Sequence, residues 1–342
     1  MTVARVDGRA RLTNGFFFIE GLRHVFGSVE WVSGGLPGVP EAEHFRRFVV
    51  CESADPALRM VFDYGDSADL DEKLMAWAHA YGKVNCTAEQ RDAGVVPIGP
   101  PFGIRPGRRT AVGLAVRALI PTAADVGWKS TIAERRNFLL RTPQLADFVP
   151  GVVDPAYLFY LGSLWEYASC LEVANPLRAA WMRTARQSAG VVFEGGFLPY
   201  PSSPEGPPVG LQVQEFADLI WDRRMPIEDW ITKTQMSFAV FNTPAVEDCL
   251  GWKLGQFLAL GKAIVTLPLT REMPEPLVHG RHVHEIESVE DIPAAIEVLR
   301  SRPEYRQQLQ TEARSYWDEH LGPINTVRRV AAAATRRVAD PT

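Results

Sequence analysis

The residues with the clearest chemical signal lie in one segment, 237–268, which we call the loop-and-helix segment. Asp248 and Gly251 belong to a polar loop after a buried apolar strand, and Lys253 falls in the first turn of the following helix. A glycine-containing loop before a helix leaves backbone N–H groups and the positive end of the helix dipole facing a ligand. Because a lysine in that turn opposes the dipole, it favours a negatively charged partner. The segment therefore predicts a site for an anion such as a diphosphate.

Strand and helix patterns alternate along the chain and must position this segment. Short apolar runs rich in β-branched or aromatic residues alternate with stretches of helical period, which is typical of α/β folds with doubly wound parallel sheets. At 342 residues the chain exceeds what one core usually supports. A stretch with two prolines and a glycine, 148–155, indicates a linker. We therefore predict a first domain over 1–150 and a second over 151–325, with a terminal helix at 326–338.

Two motifs in the loop-and-helix segment carry a family resemblance. Asp248-Cys-Leu-Gly is followed, eight positions after the aspartate, by Gln256-Phe-Leu-Ala-Leu-Gly-Lys-Ala-Ile-Val. They resemble the donor-binding half of GT-B glycosyltransferases, above all the retaining E-x7-E type (family 4, family 1-annotated and exostosin-like). In that family Glu-Gly-Phe-Gly and Glu-Ala-Met-Ala-x-Gly-x-Pro-Val-Val stand at these places. The resemblance spans roughly residues 157–338 and implies two Rossmann-like domains facing a cleft, with the terminal helix crossing back onto the first domain.

The resemblance implies donor-side roles for residues of this segment. Asp248 replaces the first glutamate and is expected beside the donor sugar, where it counts as catalytic together with Lys253. Gln256 replaces the second glutamate, and its amide oxygen can still accept a hydrogen bond from the ribose. Gly251 and Trp252, at the start of the helix, are expected to bind the donor as well.

Further donor-binding candidates come from earlier strands and helices. Ser163 follows a strand that ends in glycine, at a place where the family has a basic residue. The charge opposite the diphosphate then comes from Arg178, from Arg183 or from the lysine of the loop-and-helix segment. Glu194 and Gly195 lie where a strand runs into a glycine pair, which either passes the nucleotide at close range or forms a plain turn.

The acceptor side is predicted in the first domain. Asn14 and Gly15 precede an aromatic helix and are expected to line the cleft. Asp63 and Asp66 follow a strand, at the end that faces the crevice in open α/β sheets. We take Asp66 as a catalytic candidate and Asp63 as an acceptor-side one. The alternative for both is helix capping and turn formation.

Composition and missing motifs restrict the function classes. The net charge of −5 gives no indication of a nucleic-acid footprint or a general basic membrane surface. No apolar stretch is long enough for a membrane span, and the first residues lack a secretory pattern. Four scattered cysteines are typical of reduced, cytoplasmic thiols, and His279, His282 and His284 are expected to be exposed rather than metal-bound. The signatures of P-loop NTPases, serine hydrolases and dinucleotide-binding dehydrogenases are absent.

The resemblance to GT-B glycosyltransferases implies a metal-independent glycosyltransferase, either a hexosyl- or a pentosyltransferase, and the composition indicates a cytoplasmic one. It would move a sugar from a nucleotide-sugar co-substrate to the hydroxyl or amine of an unidentified acceptor, without a further cofactor. Retention of configuration is implied by the resemblance alone. The alternatives are a non-catalytic nucleotide-sugar or phosphate-binding protein, and a phosphorylase or epimerase on the same scaffold.

Overall fold

The computed structural model describes residues 3–42, 45–54, 57–165, 167–199 and 214–340, which group into two units. Unit 1 comprises Met1–Asp147, Arg271–Pro276 and Asp318–Thr342, and unit 2 comprises Phe148–Thr270 and Leu277–Trp317. The chain therefore enters unit 2 next to the boundary expected at residue 150. It returns to unit 1 twice, because Arg271–Pro276, expected in the second domain, also belongs to unit 1.

Strands and helices alternate in both units, and the predicted α/β class is confirmed. The strands are β1 (Val3–Asp7), β2 (Ser28–Val32), β3 (Phe48–Ala54), β4 (Ala57–Asp63), β5 (Ala80–Lys83), β6 (Val96–Pro97), β7 (Tyr157–Leu164), β8 (Val192–Pro199), β9 (Val240–Asn242), β10 (Ile264–Thr266) and β11 (His284–Glu285). The α-helices are α1 (Leu12–Phe26), α2 (Glu72–Trp77), α3 (Ala88–Asp92), α4 (Arg108–Arg117), α5 (Leu119–Val126), α6 (Trp128–Arg141), α7 (Asn175–Gln187), α8 (Ile227–Met236), α9 (Trp252–Ala259), α10 (Ile292–Ser301), α11 (Pro303–Tyr316) and α12 (Pro323–Ala339). Within the described ranges, none of these helices has both the length and the apolar character needed to cross a bilayer.

The sheet of unit 1 has the strand order β2-β1-β3-β4-β5-β6. β3 is antiparallel to both of its neighbours, whereas the other pairs are parallel. Ala54 pairs with Ala57, so only residues 55–56 separate β3 from β4. A parallel crossover needs a dozen or more residues. A connection of two residues can therefore only reverse the direction of the chain. The sheet is therefore mixed rather than wholly parallel.

Both faces of this sheet are covered by apolar side chains. On one face the ring of Phe18 in α1 stacks on that of Phe62 in β4, with 5.0 Å between the centroids. On the other face Val61 belongs to a buried cluster with Leu74 and Trp77 of α2. Successive residues of a strand point to opposite faces, so β4 is apolar in consecutive positions because helices lie on both sides.

Unit 2 contains two sets of parallel strands, β7-β8 and β11-β10-β9. The N–H of Phe238, just before β9, donates to the carbonyl of Tyr157 at the start of β7 over 2.9 Å. The two strands thus begin side by side. Between them and the helices lies a core in which Trp181 of α7 stacks on Phe241 of β9, with 4.8 Å between the ring centroids.

Candidate active site

The strongest candidate site lies in unit 2, where β7 and β9 end beside the first turns of α7 and α9. The side chain of Arg178, in the first turns of α7, contacts Ser163 near the end of β7 and Thr243 just after β9. Since the two strands also begin side by side, they run in the same direction. Their carboxyl ends therefore form one edge, which is where α/β sheets of this kind bind ligands.

Arg178 is held at this edge by neutral partners. It is 7% exposed, and Asn175 and Pro176 start its helix. Its Nε donates to the hydroxyl of Thr243 over 2.8 Å. Its two terminal nitrogens lie 3.5 Å from the carbonyl oxygens of Ser163 and Pro244. The guanidinium is thus oriented without a carboxylate.

Lys253 reaches the same edge from the first turn of α9. Its Nζ donates to the carbonyl of Leu161 over 2.6 Å and lies 4.4 Å from the centre of the Tyr160 ring. Gly162 leaves room for it, because a Cβ there would stand 2.8 Å from Nζ. Burial, and secondarily the positive charge of Arg178, lowers the pKa of the Lys253 amine well below its ordinary value.

Two basic side chains therefore lie close together without an acidic partner. Among the residues that the structure describes, neither Arg178 nor Lys253 forms an ion pair with a carboxylate. Gly251 stands at the N-cap of α9, where no side chain satisfies the first N–H groups. All three features favour an anion at this edge, since it would interact with both basic side chains and with the N-terminus of the helix at once.

The loop before α9 has an unusual backbone. Glu247 and Asp248 are consecutive non-glycine residues with φ values of 55° and 58°, in the left-handed region. Each such residue costs on the order of 1–3 kcal/mol and persists only where its surroundings fix it. Here the N–H of Glu247 donates to the hydroxyl of Ser169, and Thr270 donates to the carbonyl of Asp248. The loop presents the Asp248 side chain to solvent.

Gln256 lies one turn of α9 away from both Trp252 and Lys253, because residues three and four positions apart are neighbours on a helix. The Trp252 side chain is 42% exposed, and Gln256 is half-buried. The structure therefore places seven of the predicted residues on elements that meet at this edge: Ser163, Arg178, Asp248, Gly251, Trp252, Lys253 and Gln256.

Glu194 is engaged away from this edge, whereas Gly195 pairs with Tyr160 in the middle of β7. Glu194 pairs with Phe159 in the first half of β7, and its Oε2 accepts hydrogen bonds from Tyr157 at 2.6 Å and Lys233 at 2.7 Å. Burial raises the pKa of this carboxyl, but the two donors outweigh it and leave the pKa lowered. Gly195, with a φ of 130°, would place a Cβ against the carbonyl of Tyr160, so the close approach of β7 and β8 already explains the glycine.

The acceptor-side candidates lie in unit 1 and differ in exposure. Asp63 is fully buried and accepts hydrogen bonds from Tyr81 at 2.7 Å, Lys83 at 2.9 Å and the N–H of Gly65 at 2.9 Å. Its carboxylate is thus engaged within the sheet rather than open to a ligand. Asp66, a few residues on, is exposed.

The remaining two candidates flank the start of α1. Asn14 lines a pocket of about 280 Å³ together with Arg11 and Glu134. Gly15 is buried, and a Cβ there would lie 2.8 Å from Val49. The structure therefore gives Asn14 access to solvent and gives Gly15 a packing role.

Sequence reasoning missed Tyr160 and Thr243. The Lys253 amine lies over the ring of Tyr160, and the hydroxyl of Thr243 accepts a hydrogen bond that orients Arg178. Thr243 directly follows an apolar strand. A polar residue at the carboxyl end of a strand is a recognisable site candidate, so the sequence contains a signal for it. No comparable signal marks Tyr160, because an aromatic residue inside a strand is usually core.

Of the three clustered histidines, His279 is exposed as expected, whereas His282 is buried and His284 is half-buried among neighbouring residues. The Nδ1 atoms of His279, His282 and His284 lie 3.0 to 3.1 Å from neighbouring donors or a hydroxyl. Within the described part of the chain, no group of three His, Cys, Asp or Glu side chains is arranged to hold a metal ion. The four cysteines are buried and form no disulfide with one another.

No protein-family model and no curated protein matches this chain. Among solved structures it is similar to a glycosyltransferase from Rickettsia africae ESF-5, at 12% identity over 76% of this chain and 64% of that one, with a TM-score of 0.45. It is similar to TarM at 8% identity, over 79% of this chain and 47% of that one, with a TM-score of 0.45. For Anabaena Alr3699/HepE in complex with UDP the identity is 8%, the coverage 75% and 72%, and the TM-score 0.41. The chain spans less than two thirds of the first two proteins.

Proposed function

We propose that this protein transfers a glycosyl group from a nucleotide-activated sugar to an acceptor hydroxyl or amine. The observation that carries the proposal is that two basic side chains without acidic partners, Arg178 and Lys253, lie beside the uncapped N-terminus of α9. A diphosphate has the charge and the spread of oxygen atoms to engage all three at once. The resemblance of the loop-and-helix segment to GT-B donor domains points to the same ligand.

The reaction breaks the bond between the sugar C1 and the diphosphate oxygen and forms a bond from C1 to the acceptor oxygen or nitrogen. The electron pair of the broken bond leaves with the diphosphate, and the acceptor loses a proton. Arg178 and Lys253 would stabilise the charge that grows on the departing diphosphate, which is electrostatic transition-state stabilisation. Asp248 would hold the sugar, and Gln256 the ribose.

The first experiment is a thermal-shift screen with UDP, GDP, dTDP and their sugars, because specific binding raises stability by mass action. The decisive variant is Lys253→Met. Since burial disfavours the charge of Lys253, we expect the free variant to be at least as stable as the wild type. Turnover and nucleotide-induced stabilisation should fall together, with turnover lower by about a hundredfold or more.

Lys233→Met is the matched control, since it removes a lysine of the same unit that pairs with Glu194 away from this edge. It should retain both nucleotide binding and turnover. If no nucleotide or nucleotide sugar stabilises the wild type, the proposal fails. Nucleotide binding without sugar transfer or donor hydrolysis identifies a binding protein instead.

A further inference from the structure

The exposed apolar side chains of unit 1 are concentrated on three consecutive helices. Across the described residues, fifteen large apolar side chains are exposed, and six of them lie between residues 112 and 140. Single exposed apolar residues are normal, whereas a group of them marks an interaction surface. The six, which we call the α4–α6 face, are Val112, Val116, Ile120, Trp128, Ile132 and Leu140, with exposures from 45% to 70%.

These side chains form a second apolar face, separate from the one that packs into the core. In α4 the buried residues are Ala111, Leu114 and Ala115, while Val112 and Val116 are one turn apart on the solvent side. Ile120 continues the row at the start of α5. The helices therefore have apolar residues toward the protein and toward solvent, which a helix covered on one side does not need.

α6, which contacts α4, repeats this arrangement. Phe138 is buried, while Trp128, Ile132 and Leu140 are exposed at intervals of four and eight residues. The position between the last two in this row is Arg136, also exposed. The long side chain of an arginine can lie along an apolar surface while its charge reaches water or an anion.

The same helices carry a strong local positive charge. Residues 105–141 contain eight lysines and arginines and two acidic residues, in a chain whose net charge is −5. Most of these cations are exposed: Arg108, Arg109, Arg117, Lys129, Arg136 and Arg141. The net charge of the whole chain conceals this region, because acidic residues elsewhere outweigh the basic ones.

We propose that the α4–α6 face binds the surface of an anionic lipid bilayer. Helices with apolar and basic residues side by side lie in the interface, with the apolar side chains among the acyl chains and the cations against anionic headgroups. Trp128 is of the residue type enriched at this depth. The proposal is independent of the proposed sugar transfer, because it concerns attachment and uses none of the residues of the candidate active site.

The test is co-sedimentation with vesicles of equimolar phosphatidylglycerol and phosphatidylcholine, compared with phosphatidylcholine alone. We expect the wild type to pellet with the anionic vesicles and to be released by high salt, which screens exposed charges. The double variant Val116→Glu/Ile132→Glu should bind about tenfold or more weakly, because it loses apolar contact and adds like charge to the lipid. Arg108→Glu/Arg136→Glu should lose the preference for the anionic lipid.

Val152→Glu/Val192→Glu is the matched control, since both valines are exposed but lie in unit 2. It should bind vesicles like the wild type. All substitutions are at exposed positions, and unchanged thermal unfolding verifies the fold. Equal pelleting of Val116→Glu/Ile132→Glu and the wild type overturns the proposal. It is also overturned if the wild type ignores the vesicles and instead forms a dimer that the double variant cannot form, since a second copy then covers the face.

Discussion

Lys262 is, besides Lys253, a buried amine of unit 2 with a lowered pKa. It is 1% exposed, and its Nζ donates to the carbonyl of Gln235 over 2.7 Å. Burial, and secondarily the charge of Arg306, lowers its pKa from 10.5 to about 7. Because this folded-state pKa lies below that of the unfolded chain, protonation of Lys262 opposes folding.

This shift predicts a pH-dependent stability. Below pH 7 Lys262 is charged in both states and the full cost of burying it applies. The cost falls as the pH rises from 7 to 10.5 and vanishes above that range, where both states are neutral. The free energy of unfolding of the wild type, relative to Lys262→Met, should therefore rise over this interval, by up to about 5 kcal/mol. Urea denaturation of both proteins across the interval measures it, and a constant difference contradicts the assignment.

At the scale of single residues, the sequence indicates where a charged side chain lies within its element but not which distant residues it contacts. Lys253 was accessible to prediction because its position in a helix turn has a local electrostatic meaning. Glu194 was predicted to bind the donor, but its partner Lys233 is 39 positions away in the sequence. Burial and pairing of Asp63 depend in the same way on Tyr81 and Lys83, which only the sheet brings near. No local pattern contains such contacts.

At the scale of elements, helical period alone misplaced a boundary. The helical spacing of apolar residues over 70–81 predicts one continuous helix, but α2 ends at Trp77 and β5 begins at Ala80. Asp71 caps α2 by accepting a hydrogen bond from the N–H of Leu74, which fixes the start. The end is set by β5, whose pairing with β4 takes residues that a continued helix would need. Tertiary pairing thus overrides local propensity.

The crossing of α1 and α12 depends on one glycine. A Cβ at Gly21 would collide with the carbonyl oxygen of Pro323 and lie 2.5 Å from Val327. We expect Gly21→Ala to force the helices apart and lower the free energy of unfolding by about 2–3 kcal/mol. Gly113→Ala is the control, because Gly113 lies in the exposed side of α4 with nothing within 4 Å. It should be neutral or stabilising by up to about 1 kcal/mol. Chemical denaturation of both variants decides, and equal effects would show that α1 and α12 are not tightly apposed.

At the scale of the whole molecule, the interleaving of the two units has a measurable effect. α12 belongs to unit 1 although it is last in the chain, and it packs on α1, β4 and β5. Deleting residues 323–342 should therefore expose α1 and β5 to hydrogen exchange and leave β7 and α7 of unit 2 protected. Deleting only 340–342, beyond the helix, should change neither. Loss of protection in unit 2 first, with unit 1 intact, would contradict this division.

The overall class could be predicted because strand and helix patterns are local. The insertion of Arg271–Pro276 into unit 1 could not, since nothing in that short segment distinguishes it from a loop of unit 2. Its membership is fixed by contacts such as the hydrogen bond from the N–H of Glu272 to the carbonyl of Cys86.

The late position of α12 also orders events during synthesis. The chain leaves the ribosome with its N-terminus first, so β1, α1 and β2 emerge first, while the helix that covers Gly21 emerges after all of unit 2. All elements of unit 2 have been synthesised before α12. The apolar side of α1 therefore stays uncovered until α12 has been synthesised. This is the stage at which a chaperone or a translational pause would matter most.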